Sequence, residues 1–242
     1  MTEVPENNSP NVHQLKQAAA IAAVAQLEDG MVVGLGSGST ATLAIAAMGK
    51  RVAEESLRIV GIPTSEKSAS LARRVGISLT TLEEHPQIDL TIDGADEVEL
   101  RTLNLIKGGG GDLLREKIVA SSSARLVIIV DEAKLVDRLG RGFAVPVEVE
   151  PFGWQSTATR LHKLGGKPAL RLRPDGQTFV TDGGHYILDM AFGAIPSAAD
   201  LDAKLNNVVG VMEHGIFVGL TSQVIVGGAR GVRMLFRESV RQ

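Results

Sequence analysis

Between residues 12 and 131, short apolar runs alternate with helix-forming stretches, and nearly every run stops at a polar residue or a glycine. The runs at 31–33, 57–62, 77–79, 88–92 and 126–130 have the length and composition of strands. Helical spacing of apolar residues marks 12–27, 41–56 and 66–74, and another helix begins near Asp112. Elements in that order bury their apolar faces together as a doubly wound, mainly parallel sheet, an α/β architecture. Ligands of such sheets collect beyond the carboxyl ends of the strands. The segments in that place are 37–40, Thr64-Ser65, 93–97 and 131–134.

After Arg141-Gly142 the pattern changes. A strand at 143–150, a helix at 153–164, strands at 168–173 and 178–189, a helix at 198–205 and a strand at 211–220 follow one another. That β-α-β-β-α-β order is the ferredoxin-like unit. Residues 224–236 are expected to rejoin the first sheet. The expected division is therefore a first domain of 1–140 and 217–242, with a smaller α+β domain of 141–216 inserted in it.

Composition excludes several classes. The chain is 44% hydrophobic and 22% charged, an ordinary globular balance, and with only 3% aromatic residues its core must be aliphatic. A net charge of −3 without a basic block argues against nucleic acid as a partner. Cysteine is absent, which removes disulfides and thiolate metal sites and fits a reducing cytoplasm. No apolar run approaches the roughly 20 residues needed to cross a bilayer. Residues 1–11 have two prolines and four Asn or Ser residues, lack the basic start and apolar centre of a signal peptide, and read as a loose tail.

Three constellations carry chemistry. Gly108, Gly109, Gly110 and Gly111 stand in a row after Lys107. Four glycines lose much backbone entropy on folding and supply no side chain, so they mark a place where backbone passes close to something or turns its amides inward. They lead into a helix in which Asp112 takes the N-cap and Glu116 lies in the first turn, where the helix dipole favours a carboxylate usable as a general base. The plain alternative for Glu116 is a surface pair with Lys117 or a neighbour. The second constellation, Gly34 to Thr40, sets glycines between strand and helix, where amides and the hydroxyls of Ser37, Ser39 and Thr40 suit a phosphate monoester. Gly36-x-Gly38-x-x-Ala41 also fits a dinucleotide fingerprint, but no acid ends the next strand as that reading requires, and a tight turn without a ligand is the third possibility. In the third, Asp93 and Asp96 lie close enough to repel, so one is expected to be harder to ionise unless a cation such as Lys107 intervenes. Mg²⁺ is the rival for that role. Glu97 and Glu99 read instead as a capped helix start on the surface. The histidines show no paired ligand spacing, which leaves no zinc site, and His214 reads as structural.

Taken together, Gly36-Ser37-Gly38-Ser39-Thr40, Asp93-Gly94-Ala95-Asp96-Glu97, the run from Lys107 to Lys117 and Pro146-Val147-Glu148-Val149 resemble the type A ribose-5-phosphate isomerases over nearly the whole chain. The resemblance implies a Rossmann-like domain with a ferredoxin-like lid. It also implies a homodimer or homotetramer, no cofactor, no metal, and interconversion of ribose 5-phosphate and ribulose 5-phosphate. Glu116 matches the proton acceptor of that family, and Asp93, Asp96 and Lys107 match its polar catalytic residues. Ser37, Gly38, Ser39 and Thr40 match its substrate loop, Gly94 and Ala95 belong to the acidic motif, and Gly108, Gly109 and Gly110 line the same pocket. Lys134 and Lys16 match substrate-contacting lysines. Three features depart from the pattern: Ser37 stands where threonine is usual, Asp112 replaces a small apolar residue, and the stretch between Asp96 and Lys107 is slightly longer. The readings from other classes are a non-catalytic sugar-phosphate sensor, a nicotinamide oxidoreductase and a Mg²⁺-dependent phosphotransferase.

Overall fold

The computed structural model describes residues 11–237. The expected loose tail lies outside them except for Asn11, which caps the first helix in a reciprocal pair of hydrogen bonds with Gln14. The chain opens with helix α1 (Val12–Val24), strand β1 (Val32–Leu35), helix α2 (Gly38–Glu55), strand β2 (Val60–Pro63), helix α3 (Glu66–Arg74) and strand β3 (Ser78–Leu79). Then come β4 (Leu90–Asp93), β5 (Glu97–Glu99), β6 (Leu105–Ile106), α4 (Leu113–Ser121), β7 (Leu126–Asp131), a 3-10 turn (Glu132–Lys134) and β8 (Leu135–Val136). The remainder is β9 (Val145–Val149), α5 (Trp154–His162), β10 (Lys167–Leu170), β11 (Tyr186–Ala191), α6 (Ala198–Asn206), β12 (Val211–His214), β13 (Ile216–Phe217), β14 (Gln223–Gly228) and β15 (Gly231–Phe236).

Seven strands form the main sheet in the order β15-β14-β7-β4-β1-β2-β3. All neighbours run parallel except the edge strand β15, which returns antiparallel along β14. Every residue of β7 is buried, as expected of a central strand covered on both faces. Its side chains alternate between two cores: Val127 and Ile129 pack with α1 and α2, while Leu126, Ile128 and Val130 pack on the opposite side with Ala120 of α4. Ala19, Ala20 and Ala23 of α1 meet Ala44, Ile45 and Met48 of α2, so the helices pack through small aliphatic side chains. Among the described residues no helix is long and apolar enough to cross a membrane.

A second, antiparallel sheet has the order β10-β11-β9-β12, with α5 and α6 between its strands in the chain. Leu161 of α5 and Leu205 of α6 are fully buried in its core against Val145, Val147 and Leu188.

A third sheet, β13-β6-β5-β8, was not expected from the sequence. Its strands are two or three residues long, too short for any periodicity to show. It accounts for two corrections. Glu97 does not sit at a surface helix start: it lies in β5, 3% exposed, with its carboxylate accepting from the amides of Gly140 (2.6 Å) and Gly142 (2.8 Å). Glu99, in the same strand, is half-buried and accepts from the Thr102 hydroxyl. Residues 211–220, expected as one strand, divide at Gly215 between β12, which pairs with β9, and β13, which pairs with β6. The Gly215 amide donates to the Pro146 carbonyl (2.7 Å) and its own carbonyl accepts from Lys107 (2.8 Å). A Cβ there would lie 2.2 Å from the Lys107 carbonyl oxygen, so only glycine allows the strand to change sheets at that point. Of the strand expected at 178–189, Thr178 makes an isolated antiparallel bridge with Leu172, the sheet strand begins only at Tyr186, and Asp182-Gly183-Gly184 lies in an irregular loop.

Candidate active site

Four chain segments converge at the carboxyl ends of β1, β4 and β7. The β1–α2 connection turns through Gly38 (φ +90°), bringing Ser39 and Thr40 into the first turn of α2. Gly36 has no room for a side chain, because a Cβ would stand 2.6 Å from the Cα of Asp93. That close approach seats Asp93, the last residue of β4, beneath the loop. The third sheet adds the next piece: β6 ends at Ile106 and delivers Lys107 into the same space, and the glycines that follow lead directly into α4 and Glu116.

Lys107 is the hub. Its ammonium lies 2.9 Å from Asp93 Oδ2 and 3.1 Å from Glu116 Oε1, and donates to the Gly94 carbonyl at 2.7 Å. All three side chains are almost wholly buried. The other oxygen of Asp93 accepts from the amides of Ser37 (3.1 Å) and Gly94 (2.7 Å), which completes that carboxylate. Glu116 is not completed: its Oε2 is buried and has no hydrogen-bond partner. Buried polar atoms are nearly always paired, so an orphan oxygen facing a cleft marks a place where something else must bind.

The electrostatics follow from burial. Desolvation pushes the Glu116 carboxyl up to about 8 against the pull of Lys107, with the charge of Asp93 adding to the rise. Burial also raises Asp93, opposed by Lys107 and the two amides. Burial alone would lower Lys107, but its two carboxylates outweigh that and hold the ammonium above its ordinary value.

A cleft opens onto this triad, lined by Lys16, Ser37, Gly38, Ser39, Thr40, Gly94, Ala95, Asp96, Lys107, Gly108, Gly109, Gly110, Asp112, Glu116 and Lys134. Asp93 lies just behind that lining, 1% exposed. The candidates read from the sequence thus meet in one place. At the far end from the triad, the Lys16 ammonium contacts the Ser39 hydroxyl (3.2 Å) and Asp131 (3.8 Å). Lys134 follows in the 3-10 turn that Asp131 caps. Asp96 Oδ2 accepts from the Gly109 amide at 2.8 Å, tying the acidic motif to the glycine loop.

Two residues differ from what the sequence suggested. Ser37 borders the cleft, but its hydroxyl turns into a buried cluster with Thr64 (2.7 Å), Ser65 (2.8 Å) and Ser68 (3.3 Å), where it braces the loop. Asp112 takes the N-cap of α4 without making a side-chain cap bond. Instead it faces the cleft, and burial together with the charge of Asp182 pushes it up to about 6, with Lys67 opposing. Asp131 was missed as a partner of Lys16; its position at the end of a fully buried strand was the available signal. Among the described residues no group of three or more His, Asp or Glu side chains is disposed to hold a metal ion.

A family model described as ribose 5-phosphate isomerase A (phosphoriboisomerase A) matches residues 60–231. A ribose-5-phosphate isomerase A of Gloeobacter violaceus is 57% identical over 221 residues, covering 91% of this chain and 95% of the relative. That of a Synechococcus strain is 51% identical over 222 residues, covering 92% and 96%. Among solved structures, the ribose 5-phosphate isomerase A of Methanocaldococcus jannaschii superposes with a TM-score of 0.90 at 43% identity, covering 94% of this chain and all of the other. A D-ribose-5-phosphate isomerase in complex with phospho-erythronic acid superposes with a TM-score of 0.91 at 39% identity, with the same coverage.

Proposed function

The chain belongs to the ribose 5-phosphate isomerase A family and is an isomerase, and from that premise we propose that it interconverts D-ribose 5-phosphate and D-ribulose 5-phosphate through an enediolate, with Glu116 as the base. The observation that carries the assignment is the unpartnered Oε2 of Glu116, buried at the floor of the cleft while Oε1 is held by Lys107.

In the open-chain aldose, Glu116 Oε2 takes the proton from C2. The C2–H electron pair becomes the C1=C2 bond, and the former carbonyl electrons settle on O1. The same carboxyl then returns that proton to C1 while the O2 proton is transferred to O1, so that C2=O forms and the C1 hydroxyl is complete. Such a base contributes about 10²–10⁴-fold when it is held within reach of the carbon acid. Its raised proton affinity suits the task, because a carboxylate near its ordinary value would be a weaker acceptor. Lys107 offsets the carboxylates in the resting site and moves toward the oxygen charge as it develops, the kind of stabilisation that is usually the largest catalytic contribution. Asp93 and Asp96 exchange the hydroxyl protons and assist ring opening. Lys16, Lys134, Ser39, Thr40 and the amides at the start of α2 hold the phosphate. Residues 1–140 with 217–242 form the catalytic domain in this reading, and residues 141–216 the lid.

The test is to incubate the purified protein with ribose 5-phosphate in the presence of chelator and without nucleotide, and to measure ketose. Ketose from the wild type and none from Glu116→Gln supports both the reaction and its base. A folded wild type that makes no ketose overturns the reading.

A further inference from the structure

The glycine loop is held from outside its own domain. Arg171, which follows β10 in the second sheet, reaches across and donates through Nη1 to two successive carbonyls of the loop, Gly108 (3.0 Å) and Gly109 (3.1 Å). Its other edge is anchored on Asp189 of β11, to which Nε donates at 2.9 Å and Nη2 forms a further short contact. The guanidinium is 13% exposed and lies 5.8 Å from the ring of Phe179. That ring occupies the space where a side chain at Gly111 would go, with its Cζ 2.5 Å from a Cβ built there. The loop's fourth glycine is therefore needed by packing against the second sheet; of its first two carbonyls, that of Gly108 is shared between the Gly111 amide (3.0 Å) and the guanidinium, and that of Gly109 is held by the guanidinium.

Fixing carbonyls fixes amides, because the C=O and N–H of a planar trans peptide point in opposite directions. The Gly108 carbonyl turns to Arg171, and the Gly109 amide on the other side of that peptide donates to Asp96. The Gly109 carbonyl also turns to Arg171, so the Gly110 amide must point away from it. That amide has no partner among the described residues, and Gly110 lines the cleft. We propose that Arg171 is a positioning residue for the isomerisation: by gripping the carbonyls of Gly108 and Gly109 it aims the Gly110 amide at the oxygen on which charge develops, and the Asp96 contact of Gly109 at the substrate hydroxyls. A rigid fork suits this task, since one planar guanidinium can hold two carbonyls and a carboxylate in fixed relation, and a lysine cannot. The inference rests on the isomerase reading of the cleft.

The experiment compares wild type, Arg171→Met, Arg171→Lys and Asp189→Asn by steady-state kinetics with ribose 5-phosphate, with folding checked by circular dichroism and thermal melting. Phospho-erythronic acid, whose carboxylate resembles the charged intermediate, and inorganic phosphate serve as competitive probes. Misaiming a donor in a site of this kind lowers turnover by about 10- to 100-fold. The expected result is that loss in kcat for Arg171→Met with KM changed less than about threefold, and partial recovery in Arg171→Lys. Affinity for phospho-erythronic acid should fall in parallel, while that for inorganic phosphate stays unchanged. Asp189→Asn, which leaves the contacts to the loop in place, should lie between. If Arg171→Met does not fold, Arg171→Lys is read by the same criteria. A folded variant with wild-type kcat, or one that loses affinity for both probes equally, overturns the proposal. An inactive wild type would instead overturn the isomerase reading, so the two failures are distinguishable.

Discussion

Helix α4 sends two adjacent residues into two different charge clusters, and each cluster sets a lysine near the ring of Phe217. Lys107 Nζ, in the first cluster, lies 5.8 Å from the ring centroid, and Lys117 Nζ, in the second, 5.0 Å. In the first, Asp93, Lys107 and Glu116 leave one carboxylate oxygen without a partner. In the second, Lys117 pairs with Glu213 at 2.6 Å, and Glu213 also accepts from the His214 amide at 2.8 Å. His214 uses both ring nitrogens, with Nε2 3.2 Å from Asn206 Oδ1 and Nδ1 accepting from the Ile216 amide at 3.3 Å. That pattern fixes a neutral ring protonated on Nε2. Both clusters shift their titrating groups: Glu116 rises to about 8, while burial and then the charge of Lys117 press His214 down to about 3. Burial and a perturbed ionisation therefore do not separate a working site from a structural one. What separates them is the hydrogen-bond account, which closes around His214 and stays open at Glu116.

The sharpest way to break this comparison is to remove each cluster's key group and measure turnover. Glu116→Gln keeps the shape and the contact to Lys107 but cannot accept the proton, so kcat should fall by about 10³-fold or more while substrate affinity changes only a few-fold. Lys117→Met removes a cation from a partner that is 20% exposed. The expected cost is about 1–3 kcal/mol in urea unfolding, less than for a fully enclosed pair, with kcat reduced less than about tenfold. Comparable kcat losses in the two variants would show that the second cluster takes part in the chemistry.

The two clusters should also govern opposite limbs of the stability profile. His214 titrates near 3 in the fold against an ordinary 6.5. Below 6.5 the unfolded chain takes up a proton that the fold refuses, so stability falls with pH by about 1.4 kcal/mol per unit until the folded value is reached. Glu116 behaves the other way. Between its ordinary 4.5 and about 8 the fold keeps a proton that the unfolded chain has released, and stability falls as pH rises through that window. In urea midpoints measured from pH 4 to 8.5, His214→Gln should remove a loss of stability on acidification below 6.5 and Glu116→Gln a loss on alkalinisation up to about 8, the two slopes opposing each other where the windows overlap between 4.5 and 6.5. A slope that changes in the same direction in both variants would contradict the assignment.

Much of the cluster around Glu116 was legible because its parts are local in sequence. A glycine loop entering a helix, an acid ending a strand and a carboxylate in a first helical turn each leave a mark within a few residues, and Gly36 to Thr40, Asp93 to Glu97 and Lys107 to Glu116 are such marks. The parallel sheet was legible for the same reason, since its strands are short apolar runs and β1 and β2 lead directly into helices. The third sheet was not, because two-residue strands have no period and exist only through their partners. The Ser37 hydroxyl reads equally well as a ligand group or a brace, and only the approach of Thr64, Ser65 and Ser68 decides between them. Arg171 gave no signal at all: its contacts are with carbonyls more than 60 residues away in the chain, and a sequence does not show where a carbonyl points.

Asp112 offers the finest test of the difference between the two clusters, because it reaches Glu116 through charge alone. It makes no cap bond for α4, so its removal should leave the helix intact. Its charge is among the causes that raise Glu116, after burial and Asp93. It is itself pushed up to about 6, so it is ionised through the range in which Glu116 titrates. Asp112→Asn should therefore lower the midpoint of the rising limb of kcat/KM, expected near 8 in wild type, by roughly a few tenths of a pH unit, the scale of one partly solvated charge several ångströms away. Removing a negative charge from a cleft that takes an anionic sugar should also lower KM by roughly twofold. The acid limb of stability belongs to His214, in the other cluster, and should not move. A shift there would mean that the open and closed clusters are not electrostatically separate, and a kcat/KM limb that stays in place would mean that the charge of Asp112 does not reach Glu116.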